Sequence, residues 1–279
     1  MTEKNEVSTK TSNLVVPEFM QGVATGTEEL AGFIQPPRLK AVQPLSQSPY
    51  DQFSPGDIVA TPQLLVVAEM PYENNKPTNE GTPFYFVPIF FFAEYCTWNP
   101  IALKGKADAI VARSIDSQGE IAAKARDRNL RSQLHPEGLK DEEGKELYIT
   151  HVEHLNYVSV IVGDHPMAGT PIVQSFSKGE HKAGTNFAML IKMRKAPLFG
   201  CQFEARCHFR VGPKGKWYGW DVTNPSEDSG VAPFVSDKAQ FEELKTLHEE
   251  MKAAHADDAI RVDLTDVPQA DVVSSPSEF

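Results

Sequence analysis

The chain has 279 residues, 41% of them hydrophobic, and a formal net charge of -11. That apolar share supports a real core and excludes a wholly disordered chain, while the acidic balance means that any basic surface must be local. Three cysteines, Cys96, Cys201 and Cys207, have no metal-ligand spacing and read as reduced core thiols, which excludes a disulfide scaffold.

Residues 1–55 are rich in polar residues, Gly, Pro and Ser, and read as an extended or partly disordered arm with a short helix near 28–33. The N-terminal MTEKNEVSTKTSN has no apolar signal core, so a soluble, cytoplasmic protein is expected. Residues 56–256 read as one β-rich domain. Within it, 57–70 is one strand or two bent at Pro62, and 83–98 is so apolar that a central core strand is expected. Ser117-Gln118-Gly119-Glu120 has capping-box spacing and predicts a helix to about Arg131. Residues 135–147 form an acidic loop, and 148–162 is a further strand. Phe241, Leu244, Leu247 and Met251 recur at helical spacing, so a helix capped by Ser236 is expected over 237–256. Residues 257–279 read as a flexible acidic tail.

The charge is uneven: residues 1–100 sum to -6, 101–220 to +5 and 221–279 to -10. The basic share concentrates between Pro171 and Trp220, where nine Lys or Arg face two acids among eight aromatics. Cations that follow phosphates and rings that stack on unpaired bases are what a single-strand binder needs. Residues 177–186 read as a mobile basic loop between strands. From Cys201 to Val211 the residues alternate strictly, which predicts a long half-buried strand. Gly212-Pro213-Lys214-Gly215 then suits a three-residue bulged hairpin. That register sets Lys216, Tyr218 and Trp220 on the open face with Arg206, His208 and Arg210, and turns Trp217 inward; a two-residue loop would exchange the faces. The expected phosphate contacts are Lys178, Lys182, Lys192, Arg194, Lys195, Arg206, Arg210 and Lys216, and the expected stacking platforms are Tyr218 and Trp220.

Other chemistry finds little footing. His151 and His154 stand at i and i+3 in a strand, which sends their rings to opposite faces, whereas zinc helices use i and i+4. A metal-dependent enzyme built from His151, His154, Asp164 and His165 is therefore a weaker alternative. Ser175-Phe-Ser-Lys178 has acyl-transfer spacing but no companion motif. Phosphate-binding and dinucleotide-binding Gly loops are missing from the sequence. No enzyme activity, metal or cofactor is expected.

The run KGKWYGWD (214–221), the upstream PLFGCQF (197–203), and the helix and acidic end that follow resemble bacteriophage single-stranded DNA-binding proteins. The resemblance covers about residues 150–279. It implies a mainly β fold, an elaborated OB-like barrel or a curved antiparallel sheet with a C-terminal helix and acidic tail. It also implies sequence-independent binding of single-stranded DNA in phage replication or recombination. Glu278 and Phe279 would then contact replication or recombination proteins. The alternative of another class is a virion or assembly protein.

Overall fold

The computed structural model describes residues 36–46, 48–74, 76–103, 105–212, 215–257, 259–260 and 262. The helix expected at 28–33, the hairpin turn residues Pro213 and Lys214, and Glu278 and Phe279 lie outside the described residues.

The chain runs β1 (Arg38–Ala41), β2 (Ile58–Thr61), β3 (Leu65–Ala68), β4 (Tyr72–Glu73), β5 (Lys76–Pro77), β6 (Phe84–Trp98), β7 (Ile110–Ser114), α1 (Glu120–Arg126), β8 (Ser132–Leu134), β9 (Tyr148–Val162), β10 (Pro171–Phe176), α2 (His181–Arg194), β11 (Phe203–Gly212), β12 (Gly215–Thr223) and α3 (Lys238–Ala256). The fold is mainly β. One large sheet has the order β12-β11-β6-β9-β10-β1-β2-β3, with β7 added on β6 and β8 on β9, while β4 and β5 form a separate hairpin. The order ends at β12 and β3, so the described strands do not close into a barrel. The sheet is mixed rather than purely antiparallel, because β1 pairs β10 in parallel. It nevertheless curls: Thr82 N–H donates to Glu69 O, just past β3, at 2.8 Å, and Gly81 N–H donates to Cys207 O on β11 at 2.8 Å. Part of the stretch read as an arm thus supplies β1, an interior strand paired on both sides.

The longest strands are β6 and β9, paired from Tyr85 opposite Val162 to Trp98 opposite Thr150. The near-continuous apolar sequence of β6 follows from burial on both sides. On one face α2 covers the main core, where the Phe187 ring stands 4.5 Å from Tyr157, 5.0 Å from Phe203 and 5.7 Å from Phe86. Burying a ring of this kind contributes about 2–3 kcal/mol. On the other face α3 sets Leu244 and Met251 against Val87, Ile89 and Val160. The α3 bounds follow the sequence pattern, but its cap is Asp237, whose side chain accepts from Gln240 N–H at 2.7 Å. The helix α1 stops at Arg126 and starts from Gly119, so Ser117 caps nothing and the expected capping box does not form. No helix of the described residues is long and apolar enough to cross a membrane.

Candidate functional site

The β11–β12 hairpin pairs Gly212 with Gly215, Arg210 with Trp217, Phe209 with Tyr218 and Cys207 with Trp220. This is the two-residue connection, not the bulged one, and it reverses the expected faces. Tyr218 and Trp220 point into the core beside Cys207 and Phe209, only 4% and 5% exposed. The Trp220 ring packs 5.8 Å from Phe176. Trp217 lies on the polar face instead, donating from Nε1 to Glu180 Oε1 at 3.3 Å.

That polar face is not a free basic strip. Arg206 pairs with Glu204 at 2.5 Å and reaches Glu80 at 3.8 Å. Arg210 pairs with Asp221 at 2.9 Å and lies 3.7 Å from Glu180. Two guanidinium groups therefore sit among four carboxylates. Gly219 makes the room: a Cβ there would meet the Glu180 carboxylate at 2.2 Å. Burial pushes the Glu180 carboxyl up, and Arg210 opposes that shift. Arg194 is also committed internally, donating to Pro233 O at 2.5 Å and to Asn224 Oδ1 at 2.7 Å. Its guanidinium lies over the rings of Phe203 and Phe234.

The stretch expected to be a mobile loop instead turns at Lys178–Glu180 and enters α2 at His181. Gly184, read as a source of flexibility, is a packing residue: a Cβ would stand 2.6 Å from Phe176 Cβ. Tyr157 Oη donates to Gly184 O at 2.9 Å. The missed signal is Ala183, Phe187 and Ile191, which recur at helical spacing and line the inner face. The outer face carries Lys182, Thr185, Asn186, Met189, Lys192 and Met193, all exposed. Lys195 follows as the left-handed C-cap, and Lys216 is exposed at the hairpin tip. None of Lys182, Lys192, Lys195 and Lys216 has an ion pair among the described residues. Lys178 is partly buried and has interactions of its own.

A further cluster was not foreseen. Glu153 on β9 accepts from His181 Nε2 at 2.8 Å and from Arg126 Nε at 3.1 Å, tying α1 and α2 to the same strand. Arg126 also reaches Tyr95 Oη and donates to Ser117 O. The His181 hydrogen bond, with Arg126 after it, holds the Glu153 carboxyl down at about 2 against the effect of burial.

The residues of the enzyme alternative do not converge. His151 Nδ1 lies 2.9 Å from Thr97 Oγ1 on one face of β9, and His154 lies on the other. His165 Nδ1 accepts from Met167 N–H in the turn after β9. Among the described residues no three His, Cys, Asp or Glu side chains are grouped to hold a metal.

A family model described as Pam3 phage gp34-like protein matches residues 9–257, and the chain belongs to that family. No curated protein and no solved structure matches it.

Proposed function

Starting from a member of a phage protein family, we propose a non-enzymatic, largely sequence-independent binder of single-stranded DNA, acting in replication or recombination. The observation that carries this reading is the set of four exposed lysines without ion pairs, Lys182, Lys192, Lys195 and Lys216, in a chain of net charge -11. Ammonium groups outside ion pairs gain most from phosphate, because they release counterions without giving up a protein carboxylate. Met189 and Met193 project between the α2 lysines, one helical turn apart. Their polarisable thioethers suit the flat faces of any base. Tyr218, Trp220, Arg194, Arg206 and Arg210 have no part in this revised contact set. The OB-like reading survives only as the curl that brings Thr82 to Glu69, a half-open surface of the type on which such folds lay a strand. The acidic end, with Glu278 and Phe279, would compete for the lysines or recruit partner proteins.

The test is a fluorescence-anisotropy titration of a labelled oligonucleotide at several salt concentrations. Four contacts to a single strand give a log–log salt slope of about -3, whereas the eight cations named from the sequence give about -6. Replacing the four lysines by Gln should abolish binding, and Arg210→Gln should leave it unchanged. No binding at low salt would sink the reading.

A second reading, an assembly subunit, is favoured by the outer end of the β6–β9 pair. There β7 and β8 each pair on one side only among the described residues, and Leu134 and Tyr148 stand opposite each other, 52% and 38% exposed. Sedimentation of the DNA-free protein as a large, regular oligomer that Leu134→Lys disperses would move this reading to the front.

A further inference from the structure

The four lysines of the proposed contact set stand on two elements. Lys182 and Lys192 lie on α2 and Lys195 caps it, while Lys216 lies at the tip of the β11–β12 hairpin. That hairpin is only partly built into the main sheet. β11 pairs with β6 over Phe203–Ala205 alone, whereas β11 and β12 pair with each other out to Gly212 and Gly215. From Arg206 to the tip, the hairpin is placed by what lies along its two edges.

On the β11 edge, residues 79–81 hold the backbone: Gly81 N–H donates to Cys207 O at 2.8 Å and Phe209 N–H to Asn79 O at 3.2 Å. On the β12 edge, side chains stand where a further strand would. The Gln43 amide spans Tyr218, its Nε2 donating to Tyr218 O at 2.8 Å and its Oε1 accepting from Tyr218 N–H at 2.9 Å. Such cover keeps an edge strand from pairing elsewhere. The next support comes from α2. Glu180, the residue before that helix, reaches the polar face of β12, where it accepts from Trp217 Nε1 at 3.3 Å and lies 3.7 Å from Arg210. Gly219 leaves the carboxylate its place, since a Cβ there would meet it at 2.2 Å. The neighbouring His181 lies 2.8 Å from Glu153, so the start of α2 is also tied to β9. Glu180 therefore reaches the hairpin from a fixed base, and the ring it holds belongs to the residue next to Lys216.

We propose that Glu180 is a positioning residue of the lysine site: through Trp217 it holds the hairpin so that Lys216 meets the same nucleic-acid strand as the α2 lysines. The use of this clasp rests on the DNA-binding reading. The clasp itself rests on Glu180, Trp217 and Gly219.

The test has two arms, both on the full chain. The first is free of DNA and compares hydrogen exchange of the amides of residues 217–219 and the Trp217 indole resonance, assigned by Trp217→Phe. Glu180→Ala should speed exchange at least tenfold and shift the resonance. Gly219→Ala, which pushes the carboxylate out without removing it, should do the same. Glu180→Gln keeps an acceptor for the indole and should preserve both readouts. Unchanged exchange in Glu180→Ala overturns the clasp, whether or not the protein binds DNA. The second arm is the salt titration with a labelled single strand. Glu180→Ala should lower the log–log slope from about -3 to about -2, the value expected for Lys216→Gln alone. It should add nothing in the Lys216→Gln background, because both changes remove the same contact. A slope that stays near -3, or a further fall in the double variant, overturns the positioning role. No binding by the wild type sinks the DNA-binding reading and this role with it, while the exchange arm still decides the clasp.

Discussion

Glu153 and His154 are neighbours on β9 and face opposite sides of the sheet. The Glu153 side meets α1 and α2, and its carboxylate is met by His181 and Arg126. The two ring nitrogens of His154 have no hydrogen-bond partner. The two sides also differ in solvent access, since Glu153 and its partners are partly exposed while His154 is fully buried. The ionic cluster acts as a strut between elements, while the His154 ring contributes packing with its two nitrogens unmet.

The comparison is broken most severely at Glu153. Glu153→Ala removes the shared acceptor of His181 and Arg126 and is expected to cost about 2–3 kcal/mol in denaturant unfolding; a loss below about 0.5 kcal/mol would end the strut reading. The pH dependence sharpens it further. The Glu153 carboxyl titrates at about 2 when folded and near its ordinary 4.5 when unfolded. Its stabilisation is present above 4.5 and is lost as pH falls toward 2. Glu153→Gln should flatten the stability curve in that window. His154 behaves in the same sense for a different reason. The unfolded chain takes its proton near 6.5, and the folded ring refuses it until about 3. Stability therefore falls as pH drops from 6.5 toward 3. His154→Leu should reduce that slope, with His151 and His165, both lowered by burial, supplying the remainder. At pH 7 the same substitution is the smallest effect, within about 1 kcal/mol, because it removes two unmet nitrogens along with a ring.

What the sequence made legible was periodic. The apolar run ending at Trp98, the β-branched stretch of β9 and the Phe241–Leu244–Met251 stripe each fix an element without help from the rest of the chain. The hairpin register was not legible, because Gly212-Pro213-Lys214-Gly215 suits either loop length, and one residue of difference decided whether Tyr218 and Trp220 faced solvent. Gly179 and Gly184 hid α2, since a packing glycine and a flexible one look alike until the Phe176 side chain is in place. The pairing of Arg206 with Glu204 was within reach, two residues apart on one strand face. Glu80 and Glu180 were not, for they come from elsewhere in the chain. The unmet burial of His154 and Asn156 needed the register of β6, β9 and β10 at once, which no local pattern carries.

The β6–β9 pairing has a mechanical side. It is continuous from Tyr85 and Val162 to Trp98 and Thr150, apart from one irregularity at Pro88–Phe90. Helices lie against it on both faces, α2 and α3 over one half and α1 on the other. A pull along these two strands, in opposite directions, loads all their hydrogen bonds in parallel, as shear, so none yields before the others. A pull across the sheet at β3 or β12 meets the bonds one at a time and peels that edge strand away. The molecule is therefore stiff along one axis and compliant across it, and a tether fixed to the outer end near β7 and β8 would pass tension through the body with little change of shape.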